Sequence, residues 1–148
     1  MPQVRIATPE ELSDCLAIRH DVFVLEQAVT VEEDLDGLDA QCVQFLAITD
    51  EGPVGTARMR KTDDGEVRAE RVAVRASSRG LGLGALLMDA LEDEARRRGE
   101  AAVVLHAQVE VVPFYTRRGY EPFGPQFLDA RIPHQAMRKP LRSEPTES

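Results

Sequence analysis

Val72-Ala73-Val74-Arg75-Ala76-Ser77-Ser78-Arg79-Gly80-Leu81-Gly82-Leu83-Gly84 leads straight into Ala85-Leu86-Leu87-Met88-Asp89-Ala90-Leu91, and reading this stretch decides the fold. An alternating apolar strand runs into a glycine-rich turn, and the turn opens a helix that continues to the arginines 96–98 and closes at Gly99, a natural C-cap. In such a strand, turn and helix, unpaired backbone N–H groups and the positive end of the helix dipole converge on one point, which suits an anion. Glycines let that anion approach the backbone, although a tight turn needing positive φ calls for glycine as well. No Gly-Lys-Ser/Thr follows, so the P-loop reading fails. Gly80-x-Gly82-x-x-Ala85 has the spacing of a dinucleotide fingerprint, but a Rossmann unit normally leads its domain, and here three strands precede the loop. The following strand also ends in His106-Ala107-Gln108 rather than in an acidic residue for a ribose hydroxyl, which leaves that reading a distant alternative.

Upstream, residues 3–6 read as a short strand, and Thr8-Pro9-Glu10-Glu11 supplies an N-cap, a first-turn proline and a capping-box glutamate. Leu12, Cys15, Leu16, Arg19, Val22 and Phe23 keep a helical rhythm to about Gln27. Residues 30–39 are acidic and read as an exposed loop or broken helix. Segments 42–49, 53–61 and 66–75, separated by turn sequences, form an antiparallel meander. Downstream, 101–108 is a buried strand, Val111-Val112-Pro113-Phe114-Tyr115 opens a short helix, and segments near 120–124 and 134–139 complete the sheet. In the long helix, Glu92/Arg96, Asp93/Arg97 and Glu94/Arg98 are spaced as i, i+4 ion pairs. The expectation is one domain over residues 1–141, with a disordered tail from 142 to 148.

The chain has 148 residues, 43% of them hydrophobic, and no apolar run near bilayer length, so no membrane partner is expected. The start lacks the pattern of an export signal, which points to the cytoplasm. Cys15 and Cys42 form no CxxC and have no His at ligand spacing, so they read as reduced, with no metal. A formal charge of −8 repels polyphosphate, arguing against nucleic acid and fitting a basic or amine-bearing substrate, though acidity also simply aids solubility.

The stretch VAVRASSRGLGLGALL (72–87) resembles the acetyl-CoA signature of the GNAT superfamily of N-acyltransferases, Gln/Arg-x-x-Gly-x-Gly/Ala, with Arg79, Gly82 and Gly84 filling it. AQVEVVPFYTRRGYEPFG (107–124) resembles the second GNAT signature through Phe114-Tyr115 and Gly119-Tyr120. VFVLEQ (22–27) and FLDARIPHQAM (127–137) are similar to the ElaA/YjcF-like branch of small acyltransferases. The resemblance implies an α/β (α+β) GNAT fold, a mixed and mostly antiparallel sheet splayed between strands 4 and 5, with helices on both faces. It implies acetyl-CoA as co-substrate, with pantetheine paired to the backbone of Val72, Ala73 and Val74. The pyrophosphate would lie on the amides of Arg79, Gly80, Leu81, Gly82, Leu83, Gly84 and Ala85, with Gln108 and Phe114 as further cofactor contacts. Family members often carry Asn where this chain has Gln108, so that contact is a departure from the pattern.

Aminolysis of a thioester needs a neutral amine, a polarised carbonyl and a proton for the departing thiolate. Tyr115 resembles the family tyrosine that protonates the coenzyme A sulfur; plain packing is its other reading. For the base, Glu70 shares a strand face with Val72 and Val74 by period 2, and His106 shares one with Gln108, although strand carboxylates are commonly salt-bridged and lone strand histidines commonly hydrogen-bonded core residues. Glu26, Gln27 and His134 are acceptor-pocket candidates whose plain reading is capping or surface exposure, and His20 reads as structural. The acidic residues Glu32, Glu33, Asp34, Asp36 and Asp39 are candidates for attracting a cationic acceptor. The reading is an N-acetyltransferase acting on an unnamed small-molecule or peptide amine, a homodimer being left open. A noncatalytic acyl-CoA sensor using the same loop is the alternative.

Overall fold

The computed structural model of the chain describes residues 2–141. The tail expected to be disordered lies outside the described residues. Among the described residues, eight strands and four α-helices occur in the order β1 (Gln3–Ile6), α1 (Leu12–Arg19), α2 (Val31–Asp34), β2 (Val43–Thr49), β3 (Gly52–Lys61), β4 (Val67–Val74), α3 (Leu83–Arg97), β5 (Ala102–Gln108), α4 (Val112–Arg117), β6 (Glu121–Pro122), β7 (Phe127–Asp129) and β8 (Ile132–Pro140). These residues form two units, one holding the chain up to Arg60 together with Ala69–Leu91, the other Lys61–Arg68 together with Glu92 onward.

In the first unit β1, β2, β3 and β4 lie side by side in sequence order. β1 and β2 are antiparallel from Gln3↔Ile48 to Ile6↔Phe45, and β2 and β3 are antiparallel with a register shift at Ala47/Ile48. The apolar stripe of α1 explains its seat: Cys15, Ile18 and Val22 are buried with Leu46 and Ala73 of the sheet, and Leu12, Phe23 and Ile48 pack around them. Glu11 closes the expected box at the start of the helix by accepting from Thr8 N at 2.9 Å.

The helix does not stay α-helical to Gln27, as the rhythm suggested. After Arg19 it widens into a π-helical segment, His20–Glu26, which Gln27 ends. Of the two readings of residues 30–39, the broken helix is the one found, as the short α2. Thr30 caps α2, with Glu33 N donating to its Oγ1 at 3.1 Å and the Glu33 carboxylate accepting from Thr30 N at 2.9 Å, and Asp34 is buried. Within β4, Arg71 has φ 56, a left-handed conformation rare for a side-chain-bearing residue, so extended alternation does not run from Glu70 to Val72.

In the second unit β5 and β8 are antiparallel from Ala102↔Pro140 to Gln108↔His134, and β6 and β7 pair with β8. β7 and its hairpin were not expected from the sequence. The connecting residues Ala130 and Arg131 have φ 50 and 69, the conformation of a tight hairpin turn, without the Asn or Gly that usually signals one. α3 ends as Gly99 predicts, with Glu100 N bonding to Ala95 O at 3.0 Å and Gly99 N to Arg96 O at 2.9 Å. Glu92 is not a surface ion-pair partner of Arg96. It is buried and accepts from Tyr120 Oη at 2.8 Å, Lys139 Nζ at 2.8 Å and Arg118 Nη2 at 3.2 Å. Asp93 pairs with Arg96 instead, and Glu94 takes both Arg97 and Arg98.

Candidate functional site

Gly80 and Gly82 have φ 85 and 77, and a Cβ at either would project into open space. The strand β4 ends, a short 3₁₀ turn Ala76–Ser78 buries Ser78, and Gly80, Leu81 and Gly82 then run exposed into α3. Leu83 is buried and anchors the first helical turn, with Leu87, Met88 and Leu91 following on the same face. Gly84 has no positive φ and belongs to the helix, so its role differs from that of Gly80 and Gly82. An exposed backbone turn at the N-terminus of a fifteen-residue helix is suited to an anion.

Arg79 is not a bystander at this turn. Its Nε donates to Val74 O at 2.9 Å, and its Nη1 and Nη2 grip Glu26 at 2.7 and 2.6 Å. That hydrogen bond from Arg79 holds the Glu26 carboxyl below its ordinary range. Arg75, four residues earlier, pairs with Asp21 and donates Nε to Pro53 O at 3.4 Å. Glu26 and Arg79, predicted for different tasks, are therefore partners.

Glu70 is likewise occupied. Arg58 donates to its Oε1 through Nε at 3.1 Å and Nη2 at 2.8 Å, while Arg60 holds both oxygens at 3.0 Å. Burial pushes the Glu70 carboxyl up, but the bonds from Arg60 and Arg58 more than offset it and leave it below the usual range. Arg58, 1% exposed, also binds Asp36 at 2.6 Å and Asp39 at 3.1 Å. Arg19, fully buried, binds Asp34 at 3.0 Å and Asp39 at 2.6 Å, and Arg71 adds Asp34 and Asp36. Four arginines thus meet four carboxylates. Three of the five acids expected to attract a cation, buried Asp34, half-buried Asp39 and exposed Asp36, are already paired with arginines, which corrects that reading. One signal of this cluster is visible along the chain, since Arg19 stands in the inward stripe of α1, a position ordinarily apolar.

In the second unit Tyr115 is buried and sits between two rings, edge-on to Phe114 at 4.9 Å and to Tyr120 at 5.6 Å. Burial pushes its phenol up to about 12, with the Glu92 charge acting in the same direction. The hydroxyl is therefore protonated at neutral pH. His106 is exposed on β5, edge-on to Phe127 at 5.1 Å, and Phe127 stacks on His134 at 5.8 Å. His134 is nearly buried, its Nδ1 2.7 Å from Ile132 O, and it stands opposite Gln108 in the β5–β8 register. Two histidines and Gln108 thus share one face around Phe127, an aromatic whose part the sequence did not disclose. Among the described residues no helix is long and apolar enough to cross a membrane, and no group of three or more His, Cys, Asp or Glu residues is placed to hold a metal ion.

The model of the acetyltransferase (GNAT) domain family matches residues 10–141, which run through both units. The chain belongs to this family of acetyltransferases. It is 39% identical over 140 residues to the uncharacterized N-acetyltransferase YjcF of Bacillus subtilis, covering 94% of this chain and 99% of the relative. Among solved structures it resembles Escherichia coli ElaA with a TM-score of 0.82 and 28% identity over 94% of this chain and 99% of that one. It also resembles an acyl-CoA N-acyltransferase of Pseudomonas aeruginosa, with a TM-score of 0.81 and 30% identity over 94% and 98% of the two chains. These similarities support the ElaA/YjcF-like branch and the GNAT acyl-CoA N-acyltransferase fold, and they displace the dinucleotide reading.

The arginine cluster makes a pH prediction. Asp36, Asp39 and Glu70 sit below their ordinary values in the folded protein, whereas unfolded carboxyls titrate near about 4. For such depressed groups the stabilisation is complete above the unfolded value and is lost as pH falls through the folded ones. Unfolding free energy from urea titrations should hold steady near neutrality and drop steeply below about pH 4. Arg58→Met should cost about 1.5–3 kcal/mol at pH 7, since it removes one of the two arginines that each of Asp36, Asp39 and Glu70 holds, and should flatten that acid slope. An equal slope in the variant would show that the cluster does not govern acid stability.

Proposed function

We propose that this acyltransferase moves an acetyl group from acetyl-CoA to the primary amine of a small molecule or peptide by direct attack, within one catalytic domain over residues 1–141. The observation that carries the proposal is Tyr115, a buried phenol set between the rings of Phe114 and Tyr120 on the short helix that follows β5. The amine nitrogen attacks the thioester carbonyl, the carbon–sulfur bond breaks, and Tyr115 gives its proton to the departing thiolate, regaining one from solvent. The amides of Arg79 to Ala85 take the pyrophosphate, and the backbone of Val72 to Val74 takes the pantetheine arm. The open space beside Gly80 and Gly82 supports the first assignment. The family resemblance makes Gln108 and Phe114 further cofactor candidates, and Gln27 and His134 acceptor candidates.

For the amine's proton, the ion pairs of Glu70 weigh against a base role. A carboxylate shared by two arginines is a poor proton acceptor at neutral pH, and we assign Glu70 to holding Arg58 and Arg60 in place. His106 is the better candidate, because it is exposed and imidazole is the side chain that exchanges protons near neutrality.

Acetyl-CoA at a hundred times its Kd should stabilise the fold by about 2.7 kcal/mol, a rise of several degrees in Tm. Gly82→Val should abolish the rise, since valine at φ 77 is strained and its side chain would stand where the phosphate approaches. An undiminished rise in the variant would mean that the turn does not hold the cofactor. Tyr115→Phe keeps the ring between Phe114 and Tyr120 and deletes the hydroxyl. Cofactor binding should survive, and kcat should fall by on the order of 10²-fold, less with a donor whose thiol is more acidic. Wild-type turnover in this variant would remove Tyr115 from the mechanism.

A further inference from the structure

The π-helical segment His20–Glu26 has no explanation in the packing of α1 alone. In an α-helix residues five apart point about 140° away from each other, whereas a π turn, bonded i to i+5, brings them onto one side. Asp21 and Glu26 are five apart, and each holds one arginine of the segment entering the anion-binding turn, Arg75 and Arg79, which flank the 3₁₀ turn Ala76–Ser78. The local widening of the helix therefore aligns two carboxylates with two arginines spaced four apart.

The two pairs differ in what they leave accessible. Arg75 is tied further to β3, its amide donating to Val54 O at 2.8 Å and its Nε to Pro53 O, so the Asp21 pair fixes the entry to the turn. The Glu26–Arg79 pair lies at the exposed end, with both side chains well exposed. Glu26 takes the two terminal nitrogens of Arg79, and Val74 O takes Nε. The forked edge that a phosphate would use bidentately is already filled by a carboxylate, and the positive charge beside the turn is cancelled.

We propose that Glu26 acts as a built-in competitor for the pyrophosphate of acyl-CoA, a residue that sets cofactor affinity through Arg79. This rests on the reading that residues 79–85 hold the pyrophosphate. When acyl-CoA binds, its phosphate exchanges with the Glu26 carboxylate on the Arg79 fork, and Glu26 is released at the end of the π-helical segment. Its role is to lower the affinity that the glycine turn and helix dipole would otherwise give, which eases release of coenzyme A after transfer.

The test is calorimetric binding of acetyl-CoA and of S-acetylpantetheine, which lacks the pyrophosphate, to the wild type, Glu26→Gln and Glu26→Asp. Glu26→Gln keeps the size of the side chain and removes its charge. It should bind acetyl-CoA up to about fivefold more tightly at low salt, the scale of one exposed charge pair, with the gain shrinking as salt rises. S-acetylpantetheine affinity should not change, and Glu26→Asp should stay close to the wild type. In an Arg79→Met background the same Glu26→Gln change should lose most of its gain, because the two side chains act as a pair. Unchanged or weaker acetyl-CoA binding by Glu26→Gln, with the wild type binding normally, overturns the inference and leaves the cofactor loop intact. An equal gain on both ligands also overturns it, since it would reflect a general change in the protein. Failure of the wild type to bind acetyl-CoA would overturn the loop assignment itself.

Discussion

Burying an arginine is tolerable only when its charge is matched and its donors are filled, and the first unit of this protein is arranged around that constraint. Arg19 and Arg58 lie in the interior, and the carboxylates that satisfy them come from Asp34, Asp36 and Asp39 after α1 and from Glu70 on β4. The cluster fastens the acidic segment to β3 and β4. It also makes sense of Arg71, whose left-handed backbone interrupts β4 and whose guanidinium reaches Asp34 and Asp36. A strained residue is retained where its side chain over-determines the backbone around it.

The same logic recurs at the anion-binding turn, with exposure changing its meaning. Interior pairs in the cluster are structural, because breaking one strands a buried charge. The Glu26–Arg79 pair is exposed, contributes little to stability, and is free to be exchanged for a phosphate. In the second unit Glu92 is the corresponding buried anchor, gathering Tyr120, Lys139 and Arg118. Tyr120 in turn packs edge-on against Tyr115, so the proposed proton donor is positioned by a residue held by that glutamate.

Elements that depend on local pattern were legible in the sequence. The meander, the glycine turn, the long helix and its Gly99 cap all follow from periodicity and turn chemistry, and the family resemblance of Arg79, Gly82 and Gly84 agrees with the family match. What escaped depends on residues distant in the chain. Nothing in His20–Glu26 announces a π-helix, because the partners that reward it, Arg75 and Arg79, lie some fifty residues on. The Ala130-Arg131 turn carries no turn residue, so β7 was invisible. Glu92 has the spacing of a surface ion pair, and the distant Tyr120, Arg118 and Lys139 hold it inside. Alternation places Glu70 on the face of Val72 and Val74 but cannot reveal Arg58 and Arg60 beside it, nor the break at Arg71.

The central claim is acetyl transfer from acetyl-CoA to an amine, and it is tested most directly by following free thiol released from acetyl-CoA across a broad panel of primary amines. Mass spectrometry of each reaction would identify the product. The account predicts that at least one amine drives sustained, saturable thiol release, many turnovers per protein, with an N-acetylated product in equal amount. Acetyl-CoA binding without thiol release above background for any amine, or thiol release with no acetylated amine formed, would contradict it.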